Sequence, residues 1–382
     1  MQRLVKAAVD RGASVLHIKS GDVFRARIDG KVVKLSSQVF TPEETRKIAL
    51  QLIPTERDRE RIDVLTDYDT SWELTGVGRF RVSILRQRGA HMIVMRVIPW
   101  SVPTLEELYL PPVLAVISEL KHGLVIVTGS VGSGKSTTQA AMIGRINSQL
   151  KKHIITLEDP IEYLHDDELS TVTQREVGVD TGSFRSGLRA ALRQDADVIL
   201  IGEMRDRETM ETAIRAAELG QLVISTLHSP SAFGALNQLL TVFPEEEREI
   251  GRMRVADSLR AVVAQKLLPR KDSDRMIPAV EVVRITGAVR DCILHGKPVE
   301  EVLELTEQGS AAYGTQTFQQ HLENLVEMGL VEYDTAKAAA TSPSDFELIM
   351  QTFADERHRR LGDVPEGVDL EIEATSDVDS DS

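Results

Sequence analysis

The chain is short of cysteine and of long apolar runs, and each shortage excludes a class of protein. Cys292 is the only cysteine among the 382 residues, so neither a disulfide framework nor a cysteine-based zinc site can form within one subunit. The longest wholly apolar stretches, such as 124–127 and 198–201, are far shorter than the roughly 20 residues that cross a bilayer. Residues 1–10 mix charged and apolar side chains and lack the apolar core of a signal peptide. We therefore expect a globular, cytoplasmic protein with no transmembrane segment.

Basic and aromatic side chains are also scarce. The formal net charge is −14, and residues 363–382 carry eight acidic side chains and no basic one. With 4% aromatic residues, the chain lacks the basic stripe and the stacking platforms that are typical of nucleic-acid binders. We therefore expect no nucleic acid as a partner. We predict that residues 361–382 form a disordered acidic tail, in which 368–373 alternate like a short strand that could dock on a partner.

The pattern of residues 1–98 predicts a small α+β domain. A helix is predicted to open at Thr41-Pro42, where proline fits the first helical position behind a threonine cap, and to end before Pro54. Short strands are predicted on either side of it, at 14–19, 24–28, 78–86 and 91–97. The proline-punctuated segment 99–110 is predicted to be a linker.

Strands and helices alternate after this linker. The βαβ pattern of residues 111–280 predicts an α/β domain with a parallel sheet, whose ligand site should lie at the carboxyl ends of the strands. The predicted strands are 124–128, 153–157, 198–201 and 222–226. Beyond about residue 280 the chain is predicted to turn helical, as a C-terminal region that spans 281–360.

Residues 129–136 read Gly-Ser-Val-Gly-Ser-Gly-Lys-Ser and match the phosphate-binding pattern G-x-x-x-x-G-K-[ST]. An apolar strand precedes them and a helix-prone segment follows, which is the context that this motif requires. The loop's N–H groups and the helix N-terminus attract phosphate, Lys135 reaches the β and γ phosphates, and the Ser136 hydroxyl ligates Mg²⁺. The sequence therefore predicts binding and hydrolysis of ATP, with Mg²⁺ as cofactor. The predicted nucleotide-binding residues are Gly129, Ser130, Val131, Gly132, Ser133, Gly134, Lys135, Ser136 and Thr137.

Hydrolysis also needs acids near the phosphates, to hold Mg²⁺ and to activate water. Glu203 ends the buried strand predicted at 198–201, whereas Asp197 lies at the wrong end of that strand. A second strand ends in a segment with three carboxylates, Glu158, Asp159 and Glu162. The alternative is that these acids are helix caps and surface residues. Beside a phosphate-binding loop we favour a functional role for these acids, with Glu203 as a catalytic carboxylate that supports Mg²⁺ and the attacking water, and with Ser136 as a second metal ligand.

A histidine and three arginines complete the set of candidates. His228 follows the strand predicted at 222–226 and could bond the γ-phosphate, although a structural hydrogen bond is the alternative. Arg79 and Arg81 alternate on one strand and Arg96 lies in the next strand. These arginines either form a solvated strand face or act as arginine fingers that complete the ATP site of a neighbouring subunit.

Five motifs together resemble those of the PilT/PilU retraction ATPases of type IV pili, and the likeness covers nearly the whole chain. They are Gly-Ser-Val-Gly-Ser-Gly-Lys-Ser-Thr at 129–137, Leu-Glu-Asp-Pro-Ile-Glu-Tyr at 157–163, Thr-Gln-Arg-Glu-Val-Gly at 173–178, Ile-Gly-Glu-Met-Arg-Asp at 201–206 and Ser-Thr-Leu-His-Ser at 225–229. The resemblance implies a PAS-like N-terminal domain, a RecA-like P-loop ATPase domain and a homo-hexameric ring with ATP sites between domains. It also implies that Glu162 is the catalytic base, Glu203 the Walker B glutamate and His228 the His-box histidine.

The resemblance further implies a motor for type IV pilus retraction and twitching motility, peripheral at the inner-membrane face and in contact with an inner-membrane platform protein. The run at 288–295, Ala-Val-Arg-Asp-Cys-Ile-Leu-His, keeps only part of the Ala-Ile-Arg-Asn-Leu-Ile-Arg-Glu helix of PilT-type proteins. This run, the segment 333–345 and the acidic tail look more like PilU, so an accessory nucleotide-binding subunit that needs a PilT-type partner is an alternative. Pilus assembly and type II secretion ATPases share the motifs but usually add a larger N-terminal region and a four-cysteine zinc element.

Overall fold

Two β-sheets organise the chain, and the candidate site lies where they approach each other. The computed structural model describes residues 1–28, 30–98, 101–273 and 275–362. The tail predicted at 361–382, with its strand-like segment 368–373, falls outside these residues from 363 onward.

The N-terminal sheet is antiparallel throughout, with the strand order β3-β2-β1-β6-β5-β4. Its strands are β1 Ala13–Lys19, β2 Val23–Ile28, β3 Lys31–Val39, β4 Asp67–Leu74, β5 Gly78–Gln87 and β6 Ala90–Ile98. The helices of this part are α1 Gln2–Val9, α2 Pro42–Leu52 and α3 Glu56–Glu60. The predicted helix start is confirmed, since Thr41 and Glu44 form a reciprocal capping box ahead of Pro42. The α+β character predicted for this part is therefore what the structure has.

The two faces of strand β5 have different environments. Phe80 and Val82 are fully buried against the core that α2 covers. Arg79 and Arg81 alternate with them, and successive side chains of a strand point to opposite faces. The arginines therefore lie on the face away from the N-terminal core.

The second sheet is parallel except for one edge strand, with the order β13-β12-β7-β11-β10-β8-β9. Its strands are β7 Gly123–Thr128, β8 His153–Glu158, β9 Thr171–Glu176, β10 Val198–Ile201, β11 Leu222–Leu227, β12 Leu259–Pro269 and β13 Met276–Arg284. The four predicted strands are confirmed to within a residue at each end. The prediction of a helical chain beyond about residue 280 is wrong at its start, because β13 pairs antiparallel with β12 as far as Arg284. Helices begin at Gly287.

Helices cover both faces of this second sheet. The helices are α4 Val113–Ser118, α5 Lys135–Gln149, α6 Phe184–Ala191, α7 Arg207–Glu218, α8 Ala232–Thr241, α9 Arg248–Ser258, α10 Gly287–His295, α11 Val299–Gln308, α12 Ser310–Tyr313, α13 Phe318–Glu327, α14 Tyr333–Ala339 and α15 Pro343–Gly362, with a 3₁₀ turn at Glu245–Glu247. Successive residues of β7 face two different cores, one with α4 and α5 and one with α6 to α10 and the C-terminal helices. This is the doubly covered parallel sheet that continuous apolar strands indicate. Within the described ranges, no helix combines the length and the apolar character needed to cross a membrane.

Candidate active site

The predicted site residues meet at the carboxyl edge of the second sheet. The phosphate-binding loop follows β7, and Glu203 and His228 follow β10 and β11, which are neighbours in the sheet. Glu162 lies in the loop after β8, on the other side of β10. Because all four strands are parallel, their carboxyl ends share one edge, as the sequence predicted.

The predicted nucleotide-binding residues 129–137 form the turn between β7 and α5 and the first turn of α5. Gly134 takes a left-handed conformation (φ 88°) as the N-cap of α5, so only glycine fits there without strain. The Lys135 Nζ donates to the carbonyl oxygens of Gly129 at 2.9 Å and Ser130 at 2.8 Å. The lysine ammonium is thus folded over the loop that it belongs to.

The electrostatics of this loop suit an anion. Burial lowers the pKa of the Lys135 ammonium, and the carboxylates of Glu203 and Glu162 oppose that shift. The buried hydroxyl of Ser133 has no hydrogen-bond partner among the described residues. An orphaned hydroxyl and a desolvated ammonium at a helix N-terminus fit a phosphate group.

Gln265 hydrogen-bonds to the phosphate-binding loop and was not among the predicted site residues. This fully buried residue of β12 donates through Nε2 to the carbonyl of Ser133 at 2.6 Å. Its Oε1 accepts the hydroxyl of Thr138 on α5 at 2.9 Å. The main chain of Gln265 also lies close to the loop, since a Cβ on Gly129 would lie 2.4 Å from the main-chain carbonyl oxygen of Gln265. No sequence signal marks Gln265, because the pairing of β12 with β7 brings it to the loop.

Thr128 joins the base of the loop to the segment that carries His228. The Thr128 hydroxyl lies 3.2 Å from the Leu227 carbonyl oxygen and 2.8 Å from that of Ser229. It also accepts the N–H of Ser229 at 2.9 Å. The two ends of neighbouring strands β7 and β11 are therefore fixed to each other beside the phosphate-binding loop.

Glu203 and His228, predicted from separate motifs, are in contact. The Glu203 Oε2 lies 3.2 Å from the His228 Nε2, and its Oε1 lies 2.5 Å from an Arg205 Nη2. The Glu203 side chain is 15% exposed and that of His228 is 47% exposed, so the pair opens toward solvent. Asp197 lies at the opposite end of β10, as predicted, where it bonds Lys152 at 3.0 Å.

The loop that carries Glu162 is held by two other carboxylates. The N–H of Glu162 donates to Glu158 Oε2 at 3.4 Å, and the N–H of Ile161 donates to Glu176 Oε2 at 3.2 Å. Burial raises the pKa of Glu158, whose carboxyl group also accepts the hydroxyl of Thr156. Of the three acids predicted in this segment, Glu158 thus supports the loop, whereas Glu162 remains half-exposed at its tip.

The predicted arginines divide into two groups. The Arg79 Nη2 donates to Glu176 Oε2 at 2.7 Å, and an Arg81 Nη1 lies 3.7 Å from Glu162 Oε1. Both guanidiniums therefore face carboxylates of their own chain, because the outer face of β5 packs toward the second sheet. Arg96 lies opposite Arg81 in the register of β5 and β6 and is exposed.

Thr137 has a partner that the motif did not indicate. Its hydroxyl lies 3.0 Å from the hydroxyl of Tyr163, which closes the Glu162 loop against α5. In the part of the chain that the structure describes, no group of three or more His, Cys, Asp or Glu side chains is arranged to hold a metal ion. The predicted Mg²⁺ ligands Ser136 and Glu203 lie on the same edge of the sheet, Ser136 in the first turn of α5 and Glu203 just after β10.

Comparisons with known proteins agree on one family. The model of the Type II/IV secretion system protein family matches residues 1–344. The chain is 38% identical over 373 residues to the type IV pilus ATPase PilU of Pseudomonas aeruginosa, which covers 97% of this chain and 96% of that protein. It is 38% identical over 345 residues to the type IV pilus retraction ATPase PilT of the same organism, which covers 90% of this chain and 98% of that one.

A solved structure supports the same assignment. The crystal structure of the pilus retraction motor PilT with bound ADP matches with a TM-score of 0.83 at 38% identity and covers 91% of this chain and 98% of that one. The protein is therefore an ATPase that belongs to the Type II/IV secretion system protein family and, within it, to the PilT/PilU group.

Proposed function

We propose that the protein is an ATP-hydrolysing motor subunit that drives type IV pilus retraction. The observation that carries the proposal is the convergence of the phosphate-binding loop, the Glu203–His228 pair and the Glu162 loop on one edge of the sheet. These are the parts that phosphoryl transfer to water requires: an anion cradle, an acid beside it and a candidate base.

Nucleotide would be held by residues 129–137, with the Lys135 ammonium on the β and γ phosphates. The PilT structure with bound ADP supports nucleotide binding by this chain. Mg²⁺, held by Ser136 and Glu203, would neutralise charge on the phosphate oxygens and orient the γ-phosphate.

Glu162 is proposed to accept the proton of the attacking water. Its carboxylate is half-exposed in the loop after β8, whose carboxyl end lies on the same edge of the sheet as the phosphate-binding loop. His228, bonded to Glu203, is proposed to sense the γ-phosphate, since Thr128 ties its segment to the phosphate-binding loop. Arg81 supplies positive charge beside Glu162 and is a candidate for offsetting transition-state charge.

The proposed assembly is a homo-hexameric ring at the cytoplasmic face of the inner membrane, in contact with a pilus platform protein. We divide the chain into a PAS-like domain (1–98), a linker (99–110), a RecA-like core (111–280), a C-terminal helical region (281–360) and an acidic tail (361–382). The antiparallel sheet has one buried core and the parallel sheet has two others, one on each face, which supports the first and third of these units.

A second candidate is an accessory PilU-like subunit that acts with a PilT-type partner. The alignment with PilU extends over 373 residues of this chain, against 345 for PilT at the same identity. The altered helix at 288–295 points the same way, since it keeps only part of the PilT-type pattern. The two candidates share the chemistry and differ in whether the protein turns over ATP alone.

The test is steady-state ATP turnover of the purified full chain at several concentrations, together with its oligomeric size. Lys135→Ala should abolish nucleotide binding, and Glu162→Gln should abolish turnover while ADP binding persists. Glu168→Gln, an exposed acid six residues beyond Glu162, is the matched control and should turn over ATP like the wild type. Turnover that rises with ring assembly supports an autonomous motor, whereas turnover only after addition of a PilT-type protein supports the accessory role. Undiminished turnover in Glu162→Gln would refute the proposed mechanism.

A further inference from the structure

One buried carboxylate, that of Glu176 at the end of β9, joins three separate segments of the chain. Its Oε1 accepts the hydroxyl of Ser71 at 2.7 Å, and its Oε2 accepts Arg79 Nη2 at 2.7 Å and the N–H of Ile161 at 3.2 Å. The Glu176 side chain is 3% exposed. A carboxylate that is buried to this degree needs its partners, because an uncompensated buried charge is strongly unfavourable.

Two of the three partners belong to the N-terminal sheet. Ser71 lies on β4 and Arg79 on β5, and the Arg79 Nη2 also donates to the Ser71 hydroxyl at 2.9 Å. The Nε of Arg79 is buried and has no partner among the residues that the structure describes. Arg79 also lies 3.9 Å from Glu73 of β4 through Nη1, so Glu176 is the nearer of its two carboxylate partners. A displacement of the N-terminal sheet would withdraw Arg79 from Glu176.

The third partner is the loop of the candidate base. Ile161 immediately precedes Glu162, and the Glu176 Oε2 that holds the Ile161 N–H is the same oxygen that accepts Arg79. The N–H of Glu162 itself bonds Glu158, which belongs to the second sheet alone. Of the two carboxylates that position this loop, Glu176 is thus the one that responds to the N-terminal sheet.

We propose that Glu176 is a positioning residue that couples the docking of the N-terminal sheet, through Arg79, to the placement of Glu162. When the N-terminal sheet is docked, the Arg79 guanidinium fixes the Glu176 carboxylate, which in turn fixes the backbone beside Glu162. When the sheet moves away, Glu176 loses its charge partner and the loop loses one of the two carboxylates that position it. ATP hydrolysis is then conditional on the position of the N-terminal sheet. The inference rests on the proposed role of Glu162 as the base.

The test is a double-mutant cycle on the full chain with Glu176→Gln, Arg79→Lys and the double variant. Each single variant should lower kcat by about tenfold to one hundredfold, because a displacement of about 1 Å in a catalytic group has effects of that size. The Kd for ADP, measured by calorimetry, should stay within about twofold of the wild type, since neither residue belongs to the phosphate-binding loop. The double variant should lose no more than the worse single variant, because both changes break the same link.

Two matched substitutions control for loss of a buried carboxylate and of an arginine. Glu323→Gln alters a buried glutamate on α13 that bonds Gln319 at 2.8 Å, and Arg254→Lys alters an arginine on α9 that bonds Glu218 at 2.8 Å. Both lie outside the proposed site and should leave kcat unchanged. Ser71→Ala is a milder change at the same contact, which retains Arg79 and should lower kcat less than Glu176→Gln.

The outcomes are distinct. A fall in kcat in both single variants with unchanged ADP affinity, unchanged oligomeric size and no further loss in the double variant supports the coupling. If Glu162→Gln is inactive while Glu176→Gln and Arg79→Lys keep the wild-type kcat, the coupling is overturned and the proposed base stands. Losses that multiply in the double variant, or that accompany equal losses of ADP affinity and thermal stability, also overturn it, because they indicate a general structural role. Retained turnover in Glu162→Gln would overturn the proposed base and this inference together.

Discussion

Replacement of Gln265 by leucine tests whether the phosphate-binding loop depends on a residue outside its own motif. Leucine has nearly the volume of glutamine but cannot reproduce its two hydrogen bonds. In the wild type, the Ser133 carbonyl accepts a hydrogen bond from Gln265 Nε2 at 2.6 Å, and the Thr138 hydroxyl donates to Gln265 Oε1 at 2.9 Å. The substitution leaves both groups without these partners. Both of these residues are almost fully buried, so water cannot readily replace the lost partner.

The expected magnitude follows from these two contacts. Each orphaned buried group costs about 1–3 kcal/mol, or about 2–6 kcal/mol together. The apolar surface that leucine adds to the core offsets about 1–2 kcal/mol of this cost. From the middle of each range, about 4 kcal/mol of cost less about 1.5 kcal/mol of offset, we expect the free energy of unfolding to fall by about 2.5 kcal/mol. Because one lost bond holds the loop itself, we also expect the Kd for ADP to rise by about tenfold, which corresponds to about 1.4 kcal/mol.

The free energy of unfolding would be measured by urea denaturation followed by circular dichroism, and the Kd for ADP by isothermal titration calorimetry. Gln139→Leu is the matched control, since it makes the same substitution on α5, where the buried Nε2 of Gln139 has no partner within the described ranges. It should cost less than about 1 kcal/mol. If Gln265→Leu changes the free energy of unfolding by less than about 0.5 kcal/mol and leaves the ADP affinity unchanged, the loop does not depend on Gln265.

Three further changes test other parts of the structure. Gly129→Ala should abolish ADP binding in calorimetry, because its Cβ would lie 2.4 Å from the Gln265 carbonyl oxygen. Burial lowers the pKa of His321 from 6.5 to about 4. Between pH 6.5 and pH 4 the histidine is therefore protonated in the unfolded chain but neutral in the folded protein. The free energy of unfolding should therefore drop by up to about 3 kcal/mol between pH 6.5 and 4, and less in His321→Asn. Thr128→Val should lower the free energy of unfolding by about 1–3 kcal/mol, because it orphans the buried N–H of Ser229.

Each of these predictions has its own control and contrary outcome. Gly76→Ala introduces the same residue at a positive φ of 73° with open space around it, so it should bind ADP normally. Wild-type ADP affinity in Gly129→Ala would contradict the close packing of the loop. An equal pH slope in the wild type and His321→Asn would exclude His321 as the cause. Thr241→Val removes an exposed hydroxyl and should change the free energy of unfolding little. An equally small change in Thr128→Val would show that the buried contact of Thr128 does not stabilise the fold.

The sequence predicted those parts of the structure that local residues dictate. The phosphate-binding pattern at 129–136 was readable because its glycines, lysine and serine are adjacent in the chain and act through local backbone geometry. The helix start at Thr41 was readable for the same reason, since a capping box spans four residues. The buried strands β7, β8, β10 and β11 were readable because strands covered on both faces are continuous apolar runs.

The strands β9, β12 and β13 were not predicted, because their sequences lack a pattern that is specific to strands. Strand β9, Thr171–Glu176, is an edge strand with only one fully buried residue and no apolar run to mark it. Strands β12 and β13 contain apolar runs that periodicity alone does not distinguish from buried helix. Their assignment depends on pairing with each other and with β7, which the chain reaches only after it folds.

By itself, the sequence determined the α/β class, the phosphate-binding loop and the identity of the candidate acids, histidine and arginines. Only the tertiary structure decided which of them touch: Glu203 with His228, and Arg81 with Glu162 of its own chain. It also identified Gln265, which lies in no motif, as a support of the phosphate-binding loop, and it gave Glu176, whose motif at 173–178 had no assigned role, its place beside Glu162. Arg79 and Glu176 lie 97 positions apart, and Gln265 and Ser133 lie 132 apart. Contacts over such separations depend on the strand order and on the packing of one sheet against another, and neither of these is encoded in any local stretch of residues.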